Sequence, residues 1–261
     1  MKLIRCLIAG LALAIIAAPL TQAQGKKMIE GKSTGTIKGK VTFDGTAPQG
    51  GKLKIDANHK DVSHCLKQDT EDLTWVVDAN KGLANVVVFL KSPSGSAFKV
   101  DLGKKTWPDE VVVDQPFCSF KPHVSVVFPE YDGKRTGQKF IVKNSAPILH
   151  NSRIGGSPFK NPLKNENLAA GKEKAFDLKA DVQVIKMNCD AHKWMECYVW
   201  SFDHPYAAVT KADGTFEIKN VPLGVEVTVM SWHEAGTPPN GKEIKKGPLN
   251  DGETFNFPIR K

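Results

Sequence analysis

The residues most able to do chemistry lie in one short segment, Cys189-Asp-Ala-His192-Lys-Trp-Met195. A thiol, an imidazole and a thioether follow one another there with the spacing Cys-x2-His-x2-Met, at the end of a β-branched run. The chain has 5 cysteines, 7 histidines and 5 methionines among its 261 residues, so this spacing arises by chance with a probability of roughly 0.003. The segment is therefore a candidate metal site.

A second imidazole, His150, precedes this segment and is followed by Asn151. One thiolate and two imidazoles in a trigonal arrangement, with a thioether as a long axial ligand, form a blue-copper electron-transfer site. The imidazoles suit both oxidation states of copper, and the soft thioether favours Cu(I). The donor set therefore suits the passage of single electrons with little reorganisation.

Two other interpretations use the same residues. Cys189 could form a disulfide with Cys197, or the segment could bind zinc. Zinc prefers cysteine and histidine and seldom uses methionine, which makes copper the better match. The binuclear copper centre of oxidases needs two cysteines four residues apart, and that order is absent.

The elements that must position these residues are predicted to be strands. Short β-branched or aromatic runs separated by turn residues recur along the whole chain, and no segment keeps a helical apolar period. This pattern is typical of an all-β sandwich or barrel. Residues 151–173 and 234–250, which are rich in glycine, asparagine or proline, are predicted to be long loops.

The composition and the N-terminus limit the partners and the compartment. A net charge of +8 without a run of five basic residues gives little support to nucleic-acid binding. Residues 1–23 have basic residues, a short apolar run and a small-residue cleavage site, as a secretory signal peptide does. We expect export to the periplasm or the medium, four cysteines in an oxidising compartment, and no transmembrane segment in the mature chain.

Two separated stretches resemble the halves of a carboxypeptidase regulatory-like domain, a prealbumin-like β-sandwich. The first contains Gly35-Thr-Ile-Lys-Gly-Lys-Val-Thr-Phe-Asp-Gly and Ala84-Asn-Val-Val-Val-Phe-Leu. The second contains Asp213-Gly-Thr-Phe-Glu-Ile-Lys-Asn-Val-Pro-Leu-Gly. The resemblance implies a discontinuous domain over residues 34–109 and 204–261, with a second β domain inserted at residues 110–203; tandem sandwiches are the alternative.

Residues 110–203 resemble the cupredoxins, the Greek-key β-sandwiches that include plastocyanin and amicyanin. The resemblance rests on the Cys-x2-His-x2-Met loop and on the upstream pattern Val-x-Asn-x5-His-Asn, residues 142–151. It implies one type 1 copper with His150, Cys189 and His192 as equatorial ligands and Met195 as the axial ligand. It also implies that Asn151 pins the ligand loops together, and that the edge of His192 reaches an apolar docking surface near Trp194 and Pro147. The whole mature chain resembles a group of exported bacterial plastocyanin-like proteins.

Several residues remain outside this pattern. A Cys65–Cys118 disulfide tying the host domain to the insert is expected, with free buried thiols as the alternative, and Cys197 is the spare thiol. Five histidines are predicted to be structural or solvated rather than ligands. A structural or interdomain role is expected for His123, His204 and His233, with a weak second metal site as the alternative, and solvent exposure is expected for His59 and His64.

The predicted function is single-electron transfer without substrate turnover, because Asp190 and Glu196 beside the ligands lack acid–base partners. The predicted partner is a redox protein such as a cytochrome or a membrane-bound oxidoreductase. Cu(I) binding for delivery or resistance, and a metal-free envelope scaffold or adhesion module, are the alternatives.

Overall fold

A computed structural model describes residues 26–48, 50–239 and 241–261, and the predicted signal peptide lies outside these residues. The described chain consists of β-strands and one short helix, which confirms the all-β class. No helix in the described part of the chain is both long and apolar enough to cross a membrane. The strands are β1 (Lys27–Ile29), β2 (Ser33–Phe43), β3 (Val87–Lys91), β4 (Ser96–Phe98), β5 (Glu110–Phe117), β6 (Ser119–Lys121), β7 (Val124–Val127), β8 (Glu130–Tyr131), β9 (Lys134–Arg135), β10 (Lys139–Lys143), β11 (His150–Gly155), β12 (Lys164–Leu168), β13 (Glu173–Phe176), β14 (Ile185–Asn188), β15 (Glu196–Ser201), β16 (Ala207–Val209), β17 (Thr215–Leu223), β18 (Val227–Trp232), β19 (Lys242–Gly247) and β20 (Thr254–Ile259), and the helix is α1 (Val62–Cys65).

Strands β5 to β7 and β10 to β15 build the first sandwich, and β8 and β9 form a separate two-stranded sheet. One sheet has the order β13-β10-β5-β6 and the other has the order β12-β11-β14-β15-β7. In β14 the side chains alternate, with Ile185 and Met187 buried and Lys186 exposed, because successive strand residues point to opposite faces. The buried faces of both sheets meet in one apolar core that includes Val113, Val142 and Val199.

The second sandwich combines early and late strands of the chain. Its sheets have the orders β16-β3-β18-β19 and β17-β2-β20. Strand β2 pairs with β17 in an antiparallel and with β20 in a parallel arrangement. The core between the sheets includes Ile37, Val41, Leu90 and Ile218.

An aromatic cluster joins the two sandwiches. Strand β15 contributes to the first core and to this cluster, because Cys197 and Val199 lie in the core of the first sandwich while Trp200 packs against residues of the second sandwich. The ring of Trp200 lies 5.1 Å from Phe89 and 5.9 Å from Trp232, between ring centroids. These aromatic contacts give the two sandwiches a shared apolar interface.

The predictions of long loops were wrong in part. Residues 151–173 contain most of β11 and all of β12, and residues 234–250 contain β19. Strands β12 and β19 lie at sheet edges and carry mainly polar side chains. Edge strands expose one flank to solvent and are commonly charged, so they lack the apolar alternation on which the prediction depended.

Candidate metal centre

Strand ends bring the predicted ligands to one end of the first sandwich. His150 is the first residue of β11, Cys189 directly follows β14, and Met195 directly precedes β15. Strands β11 and β14 are antiparallel, with Arg153 opposite Asn188. Continuing this register past the last pair carries Cys189 toward the beginning of β11, beside His150.

The three nitrogen and sulfur donors converge. The sulfur of Cys189 lies 3.9 Å from Nδ1 of His150 and 3.6 Å from Nδ1 of His192. Two donors bound to one ion at about 2.3 Å for sulfur and about 2.0 Å for nitrogen, roughly 120° apart, lie about 3.7 Å from each other. Both sulfur–nitrogen distances are therefore close to those that a shared, trigonally coordinated ion requires. The three donor atoms lie within 4.8 Å of one another, and all three side chains are buried.

Burial sets the protonation of these donors. It lowers the pKa of His150 to about 3, and the neighbouring charge of His192 adds to the shift. Burial also lowers the pKa of His192, with His59 contributing, and it raises the pKa of the Cys189 thiol. Both imidazoles are therefore neutral at pH 7 and can donate a lone pair. The thiol, in contrast, needs a nearby cation to ionise.

Asn151 ties the two ligand segments together. Its side-chain oxygen accepts hydrogen bonds from the backbone N–H groups of Asp190 (2.7 Å) and Ala191 (3.2 Å), and the sulfur of Cys189 lies 3.2 Å from the same oxygen. The amide nitrogen of Asn151 donates to Asn165 at 2.7 Å. We call residues 189–195, between β14 and β15, the ligand loop. A buried amide with these partners holds the start of β11 and the ligand loop in a fixed position relative to each other.

Met195 and Cys197 lie in the core on the same side of the ligand loop. The N–H of Met195 donates to the carbonyl of His192 at 2.9 Å, and the N–H of Cys189 donates to the carbonyl of Met195 at 3.3 Å. Both side chains belong to the buried core of the first sandwich. Cys189 and Cys197 are free thiols, and burial raises the pKa of Cys197 well above its ordinary value.

A segment from outside the first sandwich covers the site, and we call residues 56–66 the cap. Its Cys65 is joined to Cys118 by a disulfide across 53 residues, and its His59 ring lies 4.6 Å from the ring of His192. His192 is 0% exposed, so the expectation of a solvent-facing histidine edge was wrong. The expectation that His59 and His64 are solvated was also wrong, since His64 is buried and His59 is half-buried.

The cap also supplies a carboxylate that sequence spacing did not single out. Oδ2 of Asp61 lies 3.3 Å from Nε2 of His192, 3.0 Å from the Lys60 ammonium and 3.9 Å from His59. Burial alone would raise the pKa of Asp61, but Lys60 and the two imidazoles hold that pKa below its usual range. The carboxylate is therefore charged at neutral pH.

His123, His204 and His233 do not join the cluster of His150, Cys189 and His192. His123 pairs with the carboxylate of Glu234, and the side chains of both are buried. The ring of His204 stacks on Phe202, and that of His233 stacks on Trp75. Among the described residues these three histidines do not come together as a group of possible ligands.

Comparisons with known proteins add little. No protein-family model matches the sequence, and no curated protein matches it. A purple cupredoxin from Nitrosopumilus maritimus aligns over 34% of this chain and 97% of its own, with 17% identity and a TM-score of 0.27. A methionine-to-alanine variant of amicyanin in its Cu(I) form aligns over 44% and 97%, with 12% identity and a TM-score of 0.29. A reduced tryptophan-to-tyrosine variant of amicyanin aligns over 43% and 97%, with 15% identity and a TM-score of 0.29. Similarity of this extent supports no conclusion about this chain.

Proposed function

We propose that this protein binds one copper ion and carries single electrons. His150, Cys189, His192 and Met195 would hold the ion, which would supply one-electron redox chemistry there. The observation that carries the proposal is the convergence of two neutral imidazole Nδ1 atoms on one buried thiol, at 3.9 and 3.6 Å. Copper bound there would alternate between Cu(II) and Cu(I), accepting and releasing one electron.

The residues of the chain would bind the ion and exclude water. The Cys189 thiol loses its proton on binding, because a coordinating thiol is deprotonated, and the imidazoles need lose none. Asn151 keeps the two ligand segments together through the backbone of Asp190 and Ala191. Buried, prearranged donors of this kind leave little to rearrange when the charge of the ion changes.

Substrate turnover is not part of the proposal. A Cys189–His192 pair could in principle act as a nucleophile and base, but both side chains are sealed from solvent. A cavity of about 260 Å³ beside the ligand loop is lined by Met195 and His123 but not by Cys189. Cys189 and Cys197, the free thiols among the described residues, are both buried and give a substrate no access to a thiol nucleophile.

The proposal includes export and a redox partner. A disulfide is typical of oxidising compartments, and the Cys65–Cys118 bridge therefore supports a periplasmic or extracellular location. A cytochrome or a membrane-bound oxidoreductase would exchange electrons with the protein.

The second sandwich would be a carboxypeptidase regulatory-like domain into which residues 110–203 are inserted. This arrangement is supported because no sheet of the described residues combines strands from residues 110–203 with strands from the remainder of the chain.

The test compares two buried thiols of the same core. Wild-type protein, a Cys189→Ser variant and a matched Cys197→Ser variant are loaded with Cu(II), and copper content and visible absorption are measured. We expect about one copper per chain and an intense thiolate-to-copper band for the wild type and Cys197→Ser, and loss of the band for Cys189→Ser. An unchanged band in Cys189→Ser would contradict the proposed site.

The same samples separate the alternative functions. Cu(I) binding for delivery or resistance has one observation in its favour, since His192 is fully covered and has no edge for a docked partner. A colourless Cu(I) complex that air does not oxidise would favour that alternative. Failure to bind copper, with Cys189 found in a disulfide with Cys197, would favour a metal-free scaffold.

A further inference from the structure

The two nitrogens of His192 face different partners. Nδ1 lies 3.6 Å from the sulfur of Cys189, and Nε2 lies 3.3 Å from Oδ2 of Asp61. Nε2 and Oδ2 are both buried, and neither makes a hydrogen bond within the described part of the chain, so each is available to the other. The imidazole therefore stands between the proposed metal position and a carboxylate of the cap. The side chain of Asp61 is 13% exposed and that of His192 is 0% exposed, so this contact is largely shielded from water.

The cap holds Asp61 in place through its backbone. The carbonyl of Asp61 accepts the N–H groups of His64 (2.9 Å) and Cys65 (3.0 Å), and its own N–H donates to Nδ1 of His59 at 3.2 Å. Nε2 of His59 lies 3.0 Å from the carbonyl of Ala191 in the ligand loop. The disulfide of Cys65 then fixes the far end of this turn to the first sandwich.

These contacts argue that the carboxylate is placed toward His192 rather than left on a mobile side chain. A metal-bound histidine commonly donates its other N–H to a carboxylate, which fixes the ring and makes it a stronger donor. A fixed negative charge near a metal also favours the oxidised, more positive ion, and a shielded site strengthens that effect. The exposed Lys60 ammonium at 3.0 Å from the same oxygen reduces the effect without removing it.

We propose that Asp61 is a positioning residue for the metal centre: its carboxylate accepts a hydrogen bond from Nε2 of His192, holds that ring toward Cys189, and stabilises oxidised copper relative to reduced copper. This inference rests on the proposed copper function. The cap is then more than a cover, because it contributes an anionic partner to a ligand that belongs to the other part of the chain.

The test separates the charge of Asp61 from its role as a hydrogen-bond acceptor. Asp61→Asn keeps an acceptor oxygen and loses the charge, and Asp61→Ala loses both. Asp56→Asn is the matched control, because Asp56 is an exposed carboxylate of the same cap whose oxygen accepts only the local N–H of Asn58 at 2.9 Å. Reduction potentials and EPR spectra are measured on the full copper-loaded chain.

For Asp61→Asn we expect the ratio of Cu(I) to Cu(II) affinity to rise about tenfold, which is a rise of about 59 mV in potential, with an unchanged EPR spectrum. For Asp61→Ala we expect a similar rise together with an altered EPR spectrum, and for Asp56→Asn less than about a twofold change in the ratio. Equal potentials for Asp61→Asn and Asp56→Asn would overturn the proposal. A second bound metal ion that Asp61→Asn removes would also overturn it, because Asp61 would then be a ligand.

A measurement on the copper-free protein distinguishes this proposal from the copper function. Long-range ¹H–¹⁵N spectra should show His192 as the Nε2–H tautomer in the wild type and in Asp61→Asn, and a mixture of tautomers in Asp61→Ala. An Nδ1–H tautomer in the wild type would overturn the hydrogen bond. If the wild type binds no copper, the proposed function is wrong, and these spectra alone decide whether Asp61 orients His192.

Discussion

The two sandwiches use buried histidines in opposite ways. In the second sandwich, Nδ1 of His233 accepts backbone N–H groups from Ala235 and Gly236, at 3.3 and 3.1 Å. In the first sandwich, Nδ1 of His150 and Nδ1 of His192 both point to one thiol. A histidine whose ring nitrogen accepts backbone hydrogen bonds stabilises a local turn. Two histidines whose ring nitrogens both face one sulfur can instead bind an ion together with that sulfur.

The same contrast separates the cores. Within the described residues, the core of the second sandwich contains no free thiol, whereas that of the first contains Cys189 and Cys197 and ends at a cluster of donors. Stability and metal binding should therefore respond to different substitutions. The following predictions test that separation.

The largest effect on stability is expected at the interface of the sandwiches. Trp200→Ala removes the indole that packs against Phe89 and Trp232, and we expect it to cost about 3–5 kcal/mol in urea unfolding. The visible band of the copper-loaded protein should be unchanged below the unfolding transition. Loss of the band in folded Trp200→Ala protein would show that the two regions are coupled.

Removal of the disulfide should affect both the stability of the protein and the access of solutes to the copper site. A Cys65→Ser/Cys118→Ser variant should lose about 2–4 kcal/mol of unfolding free energy, because the bridge closes a 53-residue separation. It should also release the cap and speed the reduction of bound copper by a small hydrophilic reductant. An unchanged reduction rate would show that the cap stays closed without its covalent anchor.

Acid should destabilise the second sandwich. Burial lowers the pKa of His233 to about 4, despite the opposing charge of Glu234, while His123 adds to the lowering. The unfolded state, with a pKa near 6.5, then binds more protons than the native state, so stability is complete above about pH 6.5 and falls as the pH drops toward 4. We expect a loss on the order of 2 kcal/mol, smaller in His233→Asn, as measured by urea unfolding against pH. Equal pH dependence in both proteins would assign the acid sensitivity to other groups.

An effect on copper affinity rather than on the free energy of unfolding is expected at Asn151. Asn151→Ala leaves the N–H groups of Asp190 and Ala191 without their acceptor and should weaken copper binding by about 10–100-fold. Copper affinity is measured by competition with a chelator, with Asn161→Ala as a comparison, since Asn161 is a buried amide whose partners are Lys179 and Asp181 rather than residues 189–195. An equal or larger affinity loss in Asn161→Ala would contradict the role given to Asn151.

The sequence was most informative where the chemistry is local. Cys189, His192 and Met195 lie in one loop between β14 and β15, so their spacing was visible in the chain itself. The all-β class followed from short apolar runs, which mark buried strands. The same signal is weak in β11, where Asn151 and Ser152 are buried polar residues, and it is absent from the polar edge strands β12 and β19.

The cap could not be predicted for a different reason. It has one short helical turn and little apolar periodicity, and it reaches the ligands through a disulfide and a few polar contacts. Cysteine pairing cannot be deduced from spacing alone, and no pattern connects Asp61 to a histidine that lies far along the chain. Such contacts become visible only when the fold has brought the two segments together.

The central claim is that one thiol and two imidazoles bind one copper ion. X-ray absorption at the copper edge of the loaded protein tests it most directly. We expect one sulfur and two imidazole nitrogens at about 2.0–2.3 Å from the copper, and loss of the sulfur in Cys189→Ser but not in Cys197→Ser. A first shell of nitrogen and oxygen alone in the wild type would contradict the claim.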